Sequence, residues 1–141
     1  MIKIRKFQFE NTELMTTAHK IRHEVFVIGQ NCPEEIEWEF EEESTHFLVF
    51  DNKEAVATAR HRKTENGYKL ERFAVLKSQR GYGYGHLVLK AILEDLSSVK
   101  ESIYMHAQLD VIPFYEKMGF EKKGDVFVEA NIMHYKMILK R

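Results

Sequence analysis

LERFAVLKSQRGYGYGHLVLKAILEDL, residues Leu70–Leu96, decides the fold. An apolar, strand-like run to Leu76 leads through Arg80-Gly81-Tyr82-Gly83-Tyr84-Gly85 into a segment with helical periodicity. Glycines at alternate positions expose the amides between them, and the first turn of the next helix adds N–H groups without intrahelical partners. Those donors and the positive end of the helix suit a pyrophosphate. Two familiar phosphate loops do not fit. A P-loop needs Lys and then Ser or Thr after its last glycine, where this chain has His86-Leu87. A dinucleotide fingerprint spaces its glycines G-x-G-x-x-G within a repeating βαβ unit, and no such repeat follows. On the loop alone, a ligand-free turn remains the competing reading.

Outward from this stretch, short elements alternate. Ile2–Phe7 alternates apolar and polar residues as a half-buried strand does. Thr12–Val27 has apolar residues at helical spacing, with Asn11 or Thr12 as cap, and Gly29–Pro33 ends it. His46–Asp51 and Glu54–Arg62 read as strands around Asn52-Lys53, and Tyr68–Leu76 as a third after the hairpin pair Asn66-Gly67. Gly85–Leu96 reads as helix, Ser102–Ala107 as strand, and Ile112–Met118 as a helix stopped by Gly119. Val126–Glu129 and His134–Leu139 suggest two closing strands. The expectation is an α/β (mixed α+β) fold, a central mixed sheet flanked by helices, in one domain spanning residues 1–141.

Composition narrows the function classes. A net charge of −1 argues against a nucleic-acid partner, which usually calls for a basic stripe. No apolar run approaches a membrane span, and MIKIRKFQF lacks a signal-peptide core. A lone cysteine, Cys32, excludes an internal disulfide and suits a reducing, cytoplasmic setting. With Pro33 after it and no partner histidine evident, it reads as a loop thiol. His19 and His23 are spaced i, i+4 but lack the Glu of a zincin motif and a third ligand, so no metal is expected.

Arg80-x-x-Gly83-x-Gly85 resembles the Q/R-x-x-G-x-G/A motif of the GNAT acetyltransferase superfamily. Gln108-x-x-Val111-Ile112-x-Phe114-Tyr115-Glu116-Lys117-Met118-Gly119-Phe120 resembles that family's N-x-x-A-x-x-F-Y-E-K-x-G-F segment. Ile21–Val27, the Glu37–Glu43 run closed by His46, and Ile132-Met133-His134 are similar to its ElaA/YjcF-type branch. The chain departs from that pattern at Gln108 (usually Asn), at Gly29-Gln30 (often Glu-Gln), and at Glu39 and Glu42 (often Asp).

The resemblance implies the GNAT fold, a mostly antiparallel mixed sheet, and transfer of an acetyl group from acetyl-coenzyme A. The acceptor would be a primary amine of a small molecule or peptide, attacking directly in a ternary complex. A coenzyme-binding sensor without turnover is the alternative. Residues Gly81, Tyr82, Gly83, Tyr84 and Gly85 would hold the pyrophosphate through their amides, helped by Arg80 and His86. Backbone groups of Ala74, Val75 and Leu76 would meet the pantetheine arm, with Gln108 and Phe114 beside it. One amide would also polarise the acetyl carbonyl, and a single such donor is worth about 3 to 4 kcal/mol elsewhere. Relatives often pair, so a homodimer is also implied.

Tyr115 is the implied acid toward the departing thiolate, with aromatic packing as its plainer reading. Glu71 is the candidate base, and strand alternation would put it on the face of Phe73 and Val75. His46 and His106 compete for that role, because imidazole titrates near neutral pH. His134 matches the branch without an evident role. The run Glu34, Glu35, Glu37, Glu39, Glu41, Glu42 and Glu43 is either a solvated face or a gate attracting an amine. Trp38 and Phe40 within it read as core anchors or pocket walls.

Overall fold

A computed structural model describes residues 1–30 and 39–141. Their strands are β1 (Ile2–Phe7), β2 (Ser44–Asp51), β3 (Glu54–Thr64), β4 (Gly67–Val75), β5 (Ile103–Gln108), β6 (Phe120–Glu129) and β7 (Ile132–Leu139). They form one sheet in the order β1-β2-β3-β4-β5-β7-β6. Every neighbouring pair is antiparallel except β4 and β5. Among the described residues the α-helices are α1 (Thr12–Arg22), α2 (Tyr84–Asp95) and α3 (Ile112–Lys117).

Asn11 caps α1 as its sequence suggests, its side chain accepting from the Leu14 N–H at 3.1 Å. The predicted helix to Val27 does not stay α-helical. From His23 to Ile28 the backbone widens into a π-helix, a form common at functional sites. Glycine is required where β4 begins. Gly67 has φ +124°, and a Cβ there would lie 2.3 Å from the Ser102 carbonyl oxygen. That close approach lets Tyr68 donate to Ser102 at 2.8 Å, which starts the parallel β4–β5 pairing.

Two apolar layers cover the two faces of the sheet. On one side α2 and α3 bury Val88, Leu89, Ile92, Ile112 and Tyr115 against Phe47, Leu70, Met105 and Met137. On the other, α1 buries Met15, Ala18 and Ile21 against Leu48 and Ala74. A fully buried Leu or Ile contributes about 1.5–3 kcal/mol.

Two irregularities correct the expected pattern. Arg60 pairs with Glu71 but Thr58 pairs with Ala74, so β4 carries an extra residue, and Arg72 there has φ +59°. The bulge inverts the alternation: Phe73 and Val75 pack with the α2 layer, while Glu71 faces α1 beside Arg60. Strand β6 likewise begins at Phe120, six residues before its expected start, and slips register between Lys123 and Phe127 around Gly124.

Candidate functional site

Parallel pairing between β4 and β5 runs only from Tyr68–Ile103 to Leu70–Met105. Beyond it β4 continues to Val75 and β5 to Gln108, so the two strands part. A cavity of about 650 Å³ occupies this gap, lined by Glu71, Phe73, Val75, His106, Gln108, Phe114 and Tyr115 among others. Its size is that of ordinary small-molecule sites.

The glycine loop lies beside this gap, since Gly85 approaches Val75 and Phe114 and lines the same cavity. Gly83 caps α2 in the left-handed region (φ +85°) with no side-chain cap. Among the described residues, no protein acceptor takes the backbone N–H of Gly81, Tyr82, Gly83, Tyr84, Gly85 or His86. Six donors at the start of a helix are thereby left for an anion. A diphosphate fits this cradle, because open space surrounds the Cα atoms of Gly81 and Gly83.

The side chains around the loop divide. Tyr82 and His86 are exposed. The Tyr84 ring is buried instead, its hydroxyl donating to Asp51, and that bond pushes its pKa up to about 12. Only its amide can meet a phosphate. Arg80 folds back, its Nε donating to the Val75 carbonyl at 3.1 Å. Leu76 corrects the sequence reading: its N–H goes to Val56 and its carbonyl accepts from Gln79, so both backbone groups already have protein partners. Ala74 and Val75 pair with β3 along one edge of β4, and Val75 also lines the cavity. Gln108 is held in a reciprocal amide pair with Gln30, at 3.0 and 3.3 Å.

Tyr115 sits among Phe73, Phe114 and Phe120, with ring centroids 5.8, 5.1 and 6.2 Å away. Burial, with the Asp110 charge, raises its pKa well above the usual phenol value. The group therefore stays protonated at neutral pH, a proton donor in the cavity wall.

Glu71 is not placed as a base. One of its oxygens takes Arg60 Nε and Nη2 at 3.0 and 2.8 Å and Arg62 Nε at 2.7 Å; Lys69 lies 3.3 Å from the other. Burial alone would raise its pKa, but the charges of Arg60, Lys69 and Arg62 prevail and hold it at about 2. Such a carboxylate is a poor proton acceptor at neutral pH.

His46 is also removed from candidacy. It stacks on Phe7 beneath α1, and its Nε2 donates to the Glu41 carbonyl at 3.0 Å. Burial lowers its pKa to about 4 despite the bond to Glu41. His106, by contrast, borders the cavity with Nδ1 3.0 Å from Glu129. His134, on β7 opposite Gln108, borders it too.

The acidic run divides as well. Glu34, Glu35, Glu37, Trp38 and Cys32 lie outside the described residues. Glu39 lines the cavity, Glu42 and Glu43 are exposed, and Glu41 turns inward to Arg22, away from any gate. Phe40 is a pocket wall, with the Arg62 guanidinium 3.8 Å above its ring. Spacing alone could not reveal the cationic wall of Arg60, Arg62 and Lys69, because the bulge at Arg72 sets their common partner.

The family profile described as "Acetyltransferase (GNAT) domain" matches residues 10–141. The chain is 38% identical over 133 residues to the uncharacterized N-acetyltransferase YjcF of Bacillus subtilis (strain 168), covering 92% of this chain and 94% of that one. Protein ElaA of Escherichia coli (strain K12) is 30% identical over 125 residues, 84% and 82% of the two chains. The crystal structure of Escherichia coli ElaA matches with a TM-score of 0.87 at 25% identity, over 99% of this chain and 100% of that one. PaiA N-acetyltransferase from Thermoplasma acidophilum, solved in complex with coenzyme A, shares the fold with a TM-score of 0.71 at 15% identity, over 100% and 99% of the chains.

Proposed function

The chain belongs to the GNAT acetyltransferase family, and on that premise we propose that it transfers an acetyl group from acetyl-coenzyme A to a primary amine of a small molecule or peptide. The observation that carries the reading is the row of unpaired N–H groups from Gly81 to His86 at the mouth of the β4–β5 gap. The donor supplies an activated thioester. Residues 81–86 hold its diphosphate, and backbone groups of Ala74 and Val75, where β4 has parted from β5, take the pantetheine arm. Phe114 flanks that arm, and Gln108 reaches it by exchanging its bond to Gln30.

Tyr115 is the acid of this reading. The phenol carries its proton at neutral pH, and the rings of Phe73 and Phe114 hold its ring in place. Most of the acceleration comes from orientation and from donors aimed where charge develops. Glu71 acts by electrostatics, fixing Arg60, Arg62 and Lys69 along the acceptor side. The reading places the whole of residues 1–141 in one domain working in the cytoplasm.

The test is release of free thiol from acetyl-coenzyme A against a panel of primary amines. Amine-dependent release and acetylated product support the reading. Tight coenzyme binding with no release across the panel would favour a sensor instead.

A further inference from the structure

With Glu71 and His46 both committed elsewhere, the proton of an incoming ammonium needs another acceptor. His134 lies on β7, directly opposite Gln108 at the end of β5, where the sheet opens. It is 7% exposed and borders the cavity. Its Nδ1 is 2.7 Å from the Ile132 carbonyl oxygen. A carbonyl can only accept, so Nδ1 carries the hydrogen and the neutral ring keeps its lone pair on Nε2. No other described residue bonds that nitrogen. Phe127 stacks on the ring with centroids 5.8 Å apart and fixes its plane.

The faces of the sheet matter here. Tyr115 belongs to the layer of α2 and α3, as does Met137 on β7. Strand alternation then puts His134 on the opposite face, the side of α1. The acid and this imidazole thus border one gap from opposite faces of the sheet.

We propose that His134 is the general base of the reaction, acting through Nε2; the inference rests on the acetyl-transfer reading above. The acceptor arrives as an ammonium ion. One proton passes to Nε2 and on to solvent, freeing the nitrogen lone pair. The nitrogen–carbon bond forms and the carbon–sulfur bond breaks. Tyr115 gives its hydroxyl proton to the sulfur, and the second nitrogen proton restores the phenol through solvent. Ammonium and thioester become amide and thiol, with one proton released.

The charged and titratable groups on the same face as this imidazole are Glu129 from β6, His106 from β5 and Lys69 from β4, while Tyr115 from α3 borders the cavity from the other face.

The experiment is the pH profile of kcat/KM for wild type, His134→Asn and His106→Asn, with coenzyme A affinity measured by calorimetry. Asparagine keeps a donor toward the Ile132 carbonyl and removes the base. The expected result is a fall in kcat of roughly 10²-fold or more, loss of the acidic limb, and coenzyme A affinity within twofold of wild type. The limb persists in His106→Asn. Nitrogen NMR of the wild-type histidines guards against misfolding of the variant: Nδ1 of His134 should carry the hydrogen at neutral pH, and its titration should coincide with the kinetic limb. Turnover that survives in His134→Asn, a limb that follows His106, or a hydrogen on Nε2 would overturn the proposal and leave the acetyl-transfer reading standing. A wild-type chain with no amine-dependent thiol release would overturn that reading, and the base assignment with it.

Discussion

Arg60 faces Glu71 across the β3–β4 ladder and donates twice to a single carboxylate oxygen, at 3.0 and 2.8 Å. The guanidinium is almost completely buried. Replacing Glu71 by Gln leaves that charge, together with Arg62 and Lys69, without its main counter-ion. Breaking a buried pair by removing one partner costs about 3–5 kcal/mol. Glu71→Gln is therefore expected to lower the urea unfolding midpoint strongly, and a loss under about 1 kcal/mol would contradict the role assigned to this carboxylate.

Gly83→Asp should abolish coenzyme A binding. The position has φ +85°, which strains any L side chain, and the new carboxylate would stand among the donors meant for a diphosphate. Gly83→Ala separates the two effects, because it carries the strain without the charge and should weaken binding less. Isothermal calorimetry reads both, and unchanged affinity in the Asp variant would remove the cradle.

Tyr115→Phe keeps the aromatic packing and deletes the proton. Turnover should fall by roughly 10²- to 10⁴-fold, while coenzyme A affinity stays near wild type. Steady-state kinetics beside calorimetry give both values. A variant as active as wild type would make Tyr115 a packing residue only.

Acid should destabilise the fold in two stages. Burial depresses His46 from 6.5 to about 4, so below pH 6.5 the unfolded chain takes up a proton that the folded chain refuses. Stability is intact above pH 6.5 and falls as pH drops toward 4, by roughly 2 kcal/mol between pH 7 and pH 5. His61, lowered by burial despite Asp95, acts in the same direction. Glu71 and Glu41, both held at about 2, add a second loss as pH falls from 4.5 toward 2. Unfolding midpoints across this range should show a shallower first stage in His46→Gln. An unchanged slope in that variant would contradict the His46 account.

The strand–loop–helix unit was legible from Leu70–Leu96 because its signals are local: an apolar run, alternating glycines and a 3.6-residue period. The Asn66-Gly67 turn and the Asn11 cap were legible for the same reason. What escaped reading depends on residues far apart in the chain. The bulge at Arg72 is a mismatch between two strands, and neither sequence carries it alone. It moved Glu71 to the face opposite Phe73 and into a cluster of three cations. The first half of β6, EKKGD after Phe120, looks like a loop because it is polar and broken by Gly124. Only pairing with β7 makes it a strand. His134 was visible as a family-like residue, but its fixed tautomer depends on where β7 holds the Ile132 carbonyl.

Backbone amide NMR during a coenzyme A titration tests the central claim most directly. The account predicts saturable binding, with the largest amide shifts confined to residues 81–86 and the facing edges of β4 and β5. Binding that leaves the amides of Gly81–His86 unmoved, or no binding at millimolar coenzyme A, would contradict it.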